Sequence, residues 1–209
     1  MAKMKNNEVR FYDGPKFVTA EPVELTWASV NAPDETYNSY SVEMKVPKDA
    51  QWAQDIFQAA LDFENANLRE QGKPEVTAPA CFLTQNGDPR VDDTGEFWML
   101  RFGAKTNPEA AVGKNGDVIP ALTRNKPVVY NVRGVKDPEI QIWSGDMCKV
   151  SGSLAFYHAS GSYGTKFYIK DVQQIVAGPG PTNHNPFGDE SSNDDADAAT
   201  TAATDSIPF

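Results

Sequence analysis

The stretch Tyr40-Ser41-Val42-Glu43-Met44-Lys45-Val46-Pro47-Lys48-Asp49 decides how this chain folds, because one periodicity stops inside it and another begins just after it. Tyr40, Val42, Met44 and Val46 alternate with Ser41, Glu43 and Lys45, the period of two that a half-buried strand requires. Pro47 ends that strand. Asp49 then stands where a helix N-cap belongs, and Trp52, Ile56, Ala59, Ala60, Phe63 and Ala66 or Asn67 follow at helical spacing. The spacing predicts a helix over about 50–71 with this stripe against the core, ended by Gly72 and Pro74.

On either side the chain reads as strands. From Lys16 to Val30 the apolar residues Phe17, Val18, Val23, Leu25, Trp27 and Val30 form a strand bent or interrupted at Pro22, and Asn31 to Glu35 reads as a turn-rich loop. After the helix, Cys81-Phe82-Leu83 is a strand-like run before the turn Asn86-Gly87-Asp88-Pro89. Phe97 to Phe102 is a strand whose more apolar row is Trp98, Leu100 and Phe102, leaving Phe97, Met99, Arg101 and then Lys105 on the other row. Residues 107–122 are loop, and Val128 to Arg133 is a strand. Burial of Ile140 and Ile142 turns Gln141 and Trp143 outward. A long strand from Met147 to His158 buries Cys148, Val150, Leu154 and Phe156 and turns out Lys149, Ser151, Ser153 and Tyr157. After a loop over 160–164, Phe167 and Ile169 point in while Lys166, Tyr168 and Lys170 point out.

Charge is unevenly distributed. The 209 residues carry a formal net charge of −10, but six carboxylates (Asp189, Glu190, Asp194, Asp195, Asp197 and Asp205) lie beyond Asn185, in a stretch with no Lys or Arg. Without them the rest stands at −4 and holds all 19 Lys and Arg, so a low pI does not exclude an anionic ligand. From residue 179 the composition is that of a disordered tether, which predicts one domain over 1–178 and a disordered acidic tail over 179–209. Cys81 and Cys148 are too few for a disulfide framework and sit in apolar runs, so both read as core. With no long apolar run and no signal-like N-terminus, the expectation is a cytoplasmic protein that does not meet a membrane.

Little here supports catalysis. His158 stands alone and His184 falls in the tether; no His/Cys cluster has zinc-ligand spacing, so neither a metal nor a cofactor is expected. Gly103-Ala104-Lys105-Thr106 and Gly161-Ser162-Tyr163-Gly164-Thr165-Lys166 have the flavour of phosphate loops, but neither precedes a helix. The informative feature is the alternation of rings and bases on the outward rows, since single strands of nucleic acid are held by stacking on aromatic rings and by cations that meet phosphates. The candidate residues for single-stranded DNA are Trp27, Lys45, Phe97, Arg101, Lys105, Arg133, Trp143, Lys149, Tyr157, Lys166, Tyr168 and Lys170. Several short strands, one marked helix and a basic-aromatic face predict a mainly β protein, a five-stranded OB-fold barrel with insertions; a β-sandwich would share the pattern.

The segments Val23 to Val30 and Tyr40 to Asp49 resemble the opening of phage-encoded single-stranded DNA-binding proteins with one OB fold. Ile142 to Val150, Phe156-Tyr157 and Val172 to Val176 are similar to the closing strands of that family. The resemblance implies a non-enzymatic protein that protects single-stranded DNA during replication or recombination, in the host cytoplasm, and is compatible with a homo-oligomer. The last residues, Asp205-Ser206-Ile207-Pro208-Phe209, are similar to the Asp-Ile-Pro-Phe end of bacterial single-stranded DNA-binding proteins, with Ser206 interrupting Asp205 and Ile207. That likeness implies that Asp205, Ile207, Pro208 and Phe209 recruit replication proteins, while the tail carboxylates compete for the groove. A virion or scaffold β domain kept soluble by an acidic tail, or a nuclease using unrecognised carboxylates, fits the same composition.

Overall fold

The computed structural model describes residues 10–106, 111–112, 116, 118–119, 125–159 and 162–180. In chain order they form β1 (Arg10–Val18), β2 (Val23–Asp34), β3 (Ser39–Pro47), helix α1 (Gln51–Glu70), a 3-10 turn (Ala80–Phe82), β4 (Phe97–Lys105), the short β5 (Ala111–Val112) and β6 (Val118–Ile119), β7 (Val128–Tyr130), β8 (Met147–Ala159) and β9 (Ser162–Val176). Five of the strands close a ring. β8 pairs with β2, β2 with β3, β3 with β4, β4 with β9, and β9 returns to β8. The β4–β9 pair is parallel and the other four are antiparallel. That order closes an OB-type barrel, as the strand pattern predicts. β1 adds to the outer edge of β8, and β7 pairs in parallel with the far half of β9.

The ring closes because its long strands bend. β8 and β9 change register between Ser151 and Gly152, and a Cβ on Gly152 would come within 2.1 Å of the Tyr168 carbonyl oxygen, so only glycine lets the strands cross that tightly. The interior is filled by alternate residues, as their period of two requires: Tyr40, Val42, Met44 and Val46 from β3, and Trp98, Leu100 and Phe102 from β4, are all buried. The expected parity of β3, β4, β8 and β9 holds. Rings of Phe17, Phe102 and Phe167 meet at centroid distances of 4.4 to 5.3 Å in the middle of the core.

α1 packs against β1, β8 and β9. Its buried side chains are Ala53, Ala60, Glu64 and Leu68, with Trp52, Ile56, Phe57 and Phe63 partly buried against the core; Ala59, expected on that stripe, is exposed instead, and of the two residues offered for its end Asn67 is partly buried and Ala66 exposed. Ala50 and not Asp49 is the N-cap, with no side-chain cap bond, and Gln54 reaches back to bond the Lys48 carbonyl. Glu64 is the polar bolt of this packing. Its Oε2 accepts hydrogen bonds from Thr165 Oγ1 (2.5 Å), Ala80 N–H (2.8 Å) and Thr165 N–H (3.2 Å), tying α1 to the 3-10 turn and to β9. Burial raises its pKa above the usual carboxylate value against the opposing pull of those three donors.

Other expectations are corrected. β2 runs through Asn31–Asp34, and the turn comes only after Asp34 Oδ1 accepts the N–H groups of Thr36 and Tyr37. β7 stops at Tyr130 rather than reaching Arg133, because Asn131 Oδ1 accepts the N–H groups of Arg133 and Val135 and Gly134 takes a positive φ of 73°. Cys81 lies in the 3-10 turn, not in a strand, partly buried with its thiol pushed up to about 12 by desolvation. Cys148 is core, as expected.

Candidate nucleic-acid interface

The outward rows of β2, β3, β4 and β9 line up across the barrel wall. In register, Lys45 faces Met99, Glu43 faces Arg101, Ser41 faces Gly103 and Ser39 faces Lys105. The pairing of Phe102 with Phe167, both buried, sets Arg101 and Gly103 beside Lys166 and Tyr168 on the outside. Trp27 joins the same band opposite Glu43. It does so only because β2 slips register between Leu25 and Trp27; plain alternation from the buried Val23 and Leu25 would have turned the indole inward. Trp27 is instead 49% exposed.

Two adjoining hollows run over this wall. One, of about 500 Å³, is lined by Tyr37, Ser41, Arg101, Gly103, Lys105 and Tyr168 together with Arg90, Tyr157 and Lys166. The other, of about 610 Å³, shares Ala104 and Tyr168 with it and adds Lys16, Lys126, Lys170 and Asp171. Seven bases thus meet one carboxylate along the pair of hollows. Lys166 shows the effect of that crowding: burial, and then the like charge of Lys105, push its ammonium down to about 8. Its Nζ lies 4.4 Å from the centroid of the Tyr168 ring. Burial raises the Tyr157 phenol, helped by the nearby Glu64 carboxylate.

Of the residues chosen from sequence, Arg101, Lys105, Tyr157, Lys166, Tyr168 and Lys170 line these hollows. Trp27, Lys45 and Phe97 continue the band at its other end, where Lys45 Nζ lies 4.3 Å from the Phe97 ring centroid and 3.4 Å from Asp92 Oδ2. Partial burial pulls Asp92 up, but the Thr94 hydroxyl, the Phe97 N–H and Lys45 together outweigh it and hold the carboxyl below its usual value. Arg133, Lys149 and Trp143 are not brought to either hollow. Arg133 stands in the turn after β7, Lys149 faces Gln173 on the β8–β9 ladder, and Trp143, 42% exposed, precedes β8 with its N–H on Asp146 Oδ2. Asp205, Ile207, Pro208 and Phe209 lie outside the described residues.

Sequence reasoning missed Tyr37, Arg90, Lys16 and Lys126 as parts of the wall. An exposed ring at a hairpin tip between Thr36 and Asn38 is the one signal that pointed to Tyr37; the bases arrive from segments far apart in sequence. Among the described residues no group of three metal-ligating side chains occurs, and no helix is long and apolar enough to cross a membrane. His158 stacks on Tyr163 with centroids 4.3 Å apart.

The fold has counterparts among solved structures. The gp2.5 single-stranded DNA-binding protein encoded by bacteriophage T7 superposes with a TM-score of 0.57 at 17% identity, covering 86% of this chain and 98% of that one. The fold is that of phage single-stranded DNA-binding proteins. The single-stranded DNA-binding protein from bacteriophage Enc34 matches with a TM-score of 0.55 at 13% identity over 81% of this chain and 86% of its own. Its complex with single-stranded DNA matches at 0.50 and 14%, over 78% and 86%. Neither a family model nor a curated protein sequence matches the chain.

Proposed function

We propose that the protein binds single-stranded DNA without strong sequence preference, through ring stacking and phosphate contacts along the wall of β3, β4 and β9. The observation that carries this reading is the segregation of charge. A chain of net charge −10 gathers seven bases against one carboxylate in two adjoining hollows. The first hollow follows β3 and β4, the second and third strands of the ring and the face that OB barrels use for oligonucleotides, and the tyrosines offer stacking surfaces that every base can use. The reading is of a non-catalytic protein that protects exposed strands in phage replication or recombination, with residues 1–178 as the binding domain.

The acidic segment 179–209 has two roles in this proposal. Its six carboxylates compete with DNA for the basic wall, and Ile207-Pro208-Phe209 address a replication protein through an apolar pocket with a cation beside it. Titration with oligothymidylate at several salt concentrations tests the binding. Quenching of Trp27 and a log–log salt slope of about −0.7 per phosphate engaged are expected. No quenching and no mobility shift at low salt overturn it. Substituting Phe209 should leave DNA affinity nearly unchanged and abolish capture of the partner; equal capture by the variant removes the docking role.

A further inference from the structure

Gly103 has no structural reason to be glycine. A Cβ built on it would meet only the Tyr40 carbonyl oxygen, at the ordinary contact distance of 3.5 Å, and its backbone is not in the left-handed region. Gly152 and Gly164 differ, since added carbons there would fall 2.1 Å from the Tyr168 carbonyl and 2.6 Å from Ala80 Cβ. Glycine inside a strand weakens it, and where packing does not demand one, close approach of a ligand is the remaining use. Directly across the ladder stands Ser41. It is 2% exposed and borders the first hollow, and its hydroxyl has no hydrogen-bond partner. A buried hydroxyl left unpaired is unfavourable unless something comes to meet it.

We propose that Ser41 and Gly103 form the floor of a nucleobase subsite, in which a base edge lies over the bare Gly103 backbone and bonds the Ser41 hydroxyl. The inference rests on the single-stranded DNA reading and sharpens it. Arg101 and Lys105 flank Gly103 on β4, placed for the phosphates on either side, and Tyr37 and Tyr168 border the same hollow. A hydroxyl donates and accepts, so it can serve any base edge, which agrees with weak sequence preference.

The test compares oligothymidylate of about ten nucleotides, within the span of one OB barrel, with an abasic deoxyribose-phosphate strand of equal charge, both titrated into the full chain. Gly103→Val should weaken oligothymidylate binding about tenfold and the abasic strand by less than about twofold, because only a base needs the floor. Gly103→Ala, which adds a single methyl to the floor, should bind oligothymidylate with an affinity between those of the wild type and the valine variant. Ser41→Ala, which carries the test if the valine variant does not fold, should lose about threefold for oligothymidylate while keeping or raising Tm, since it deletes an unpartnered hydroxyl. Equal losses on both strands, full affinity in Gly103→Val, or a lowered Tm with unchanged affinity in Ser41→Ala overturns the subsite and leaves DNA binding standing. Wild type that binds neither strand overturns the DNA reading, and the subsite with it.

Discussion

The two ends of the basic wall contain the same residue types in different electrostatic circumstances. At the β3–β4 end, Lys45 is held by Asp92 at 3.4 Å and Arg90 by Glu43 at 3.8 Å. At the β4–β9 end, the described residues give Arg101, Lys105 and Lys170 no ion-pair partner, and Lys166 feels the charge of Lys105. Cations already paired must lose a carboxylate to gain a phosphate, so they add little to affinity; unpaired ones gain on meeting an anion. The wall is therefore expected to grip at one end and to guide at the other.

The strongest way to break this contrast is to strip the unpaired end. Arg101→Ala with Lys105→Ala should lower oligothymidylate affinity by about 30-fold at low salt and flatten the salt slope by about 1.4, two phosphates at about 0.7 each. The same pair of changes at Lys45 and Arg90 should cost far less, and equal losses would erase the distinction. Removing residues 181–209 should tighten binding about tenfold at low ionic strength, an effect that fades as salt screens the six carboxylates; unchanged or weaker affinity counts against competition by the tail. A pH titration sharpens the role of Lys166. Its ammonium is largely present at pH 7 and lost as pH rises through about 8, so affinity should fall about threefold between pH 7 and pH 9. Lys166→Arg should flatten that profile, and a wild-type profile already flat would show that Lys166 meets no phosphate. The smallest effect is expected at the paired end, where Asp92→Asn releases Lys45 and should tighten binding about twofold.

What the sequence made legible follows the physics of each residue. Strict alternation over Tyr40–Val46 and Trp98–Phe102 fixed which side chains fill the barrel, and with it the outward position of Arg101 and Lys105, because a strand buried on one face has only one register that works. Lys166, Tyr168 and Lys170 were readable for the same reason. Trp27 was not, since a single extra residue at the β2 bulge reverses its direction and leaves no mark in the hydrophobic pattern. Arg133 was misplaced because Asn131 captures the backbone two and four residues on, a local bond that competes with the ladder after Tyr130. The parallel pairing of β4 with β9 joins residues 65 positions apart at Phe102 and Phe167, and no local pattern announces it. That pairing is what brings the unpaired bases together.

Glu64 gives the domain a proton ledger of its own. Its folded pKa lies above its unfolded one, so the stability it contributes is fully present below the unfolded value and drains away as pH rises through the folded value. In that window each molecule takes up a proton as it folds, and refolding in a weak buffer should register as an alkaline drift. The packing that seats the helix beside Thr165, one residue from Lys166, is therefore most favourable below the unfolded value of the Glu64 carboxyl and loses that contribution as pH rises through the folded one.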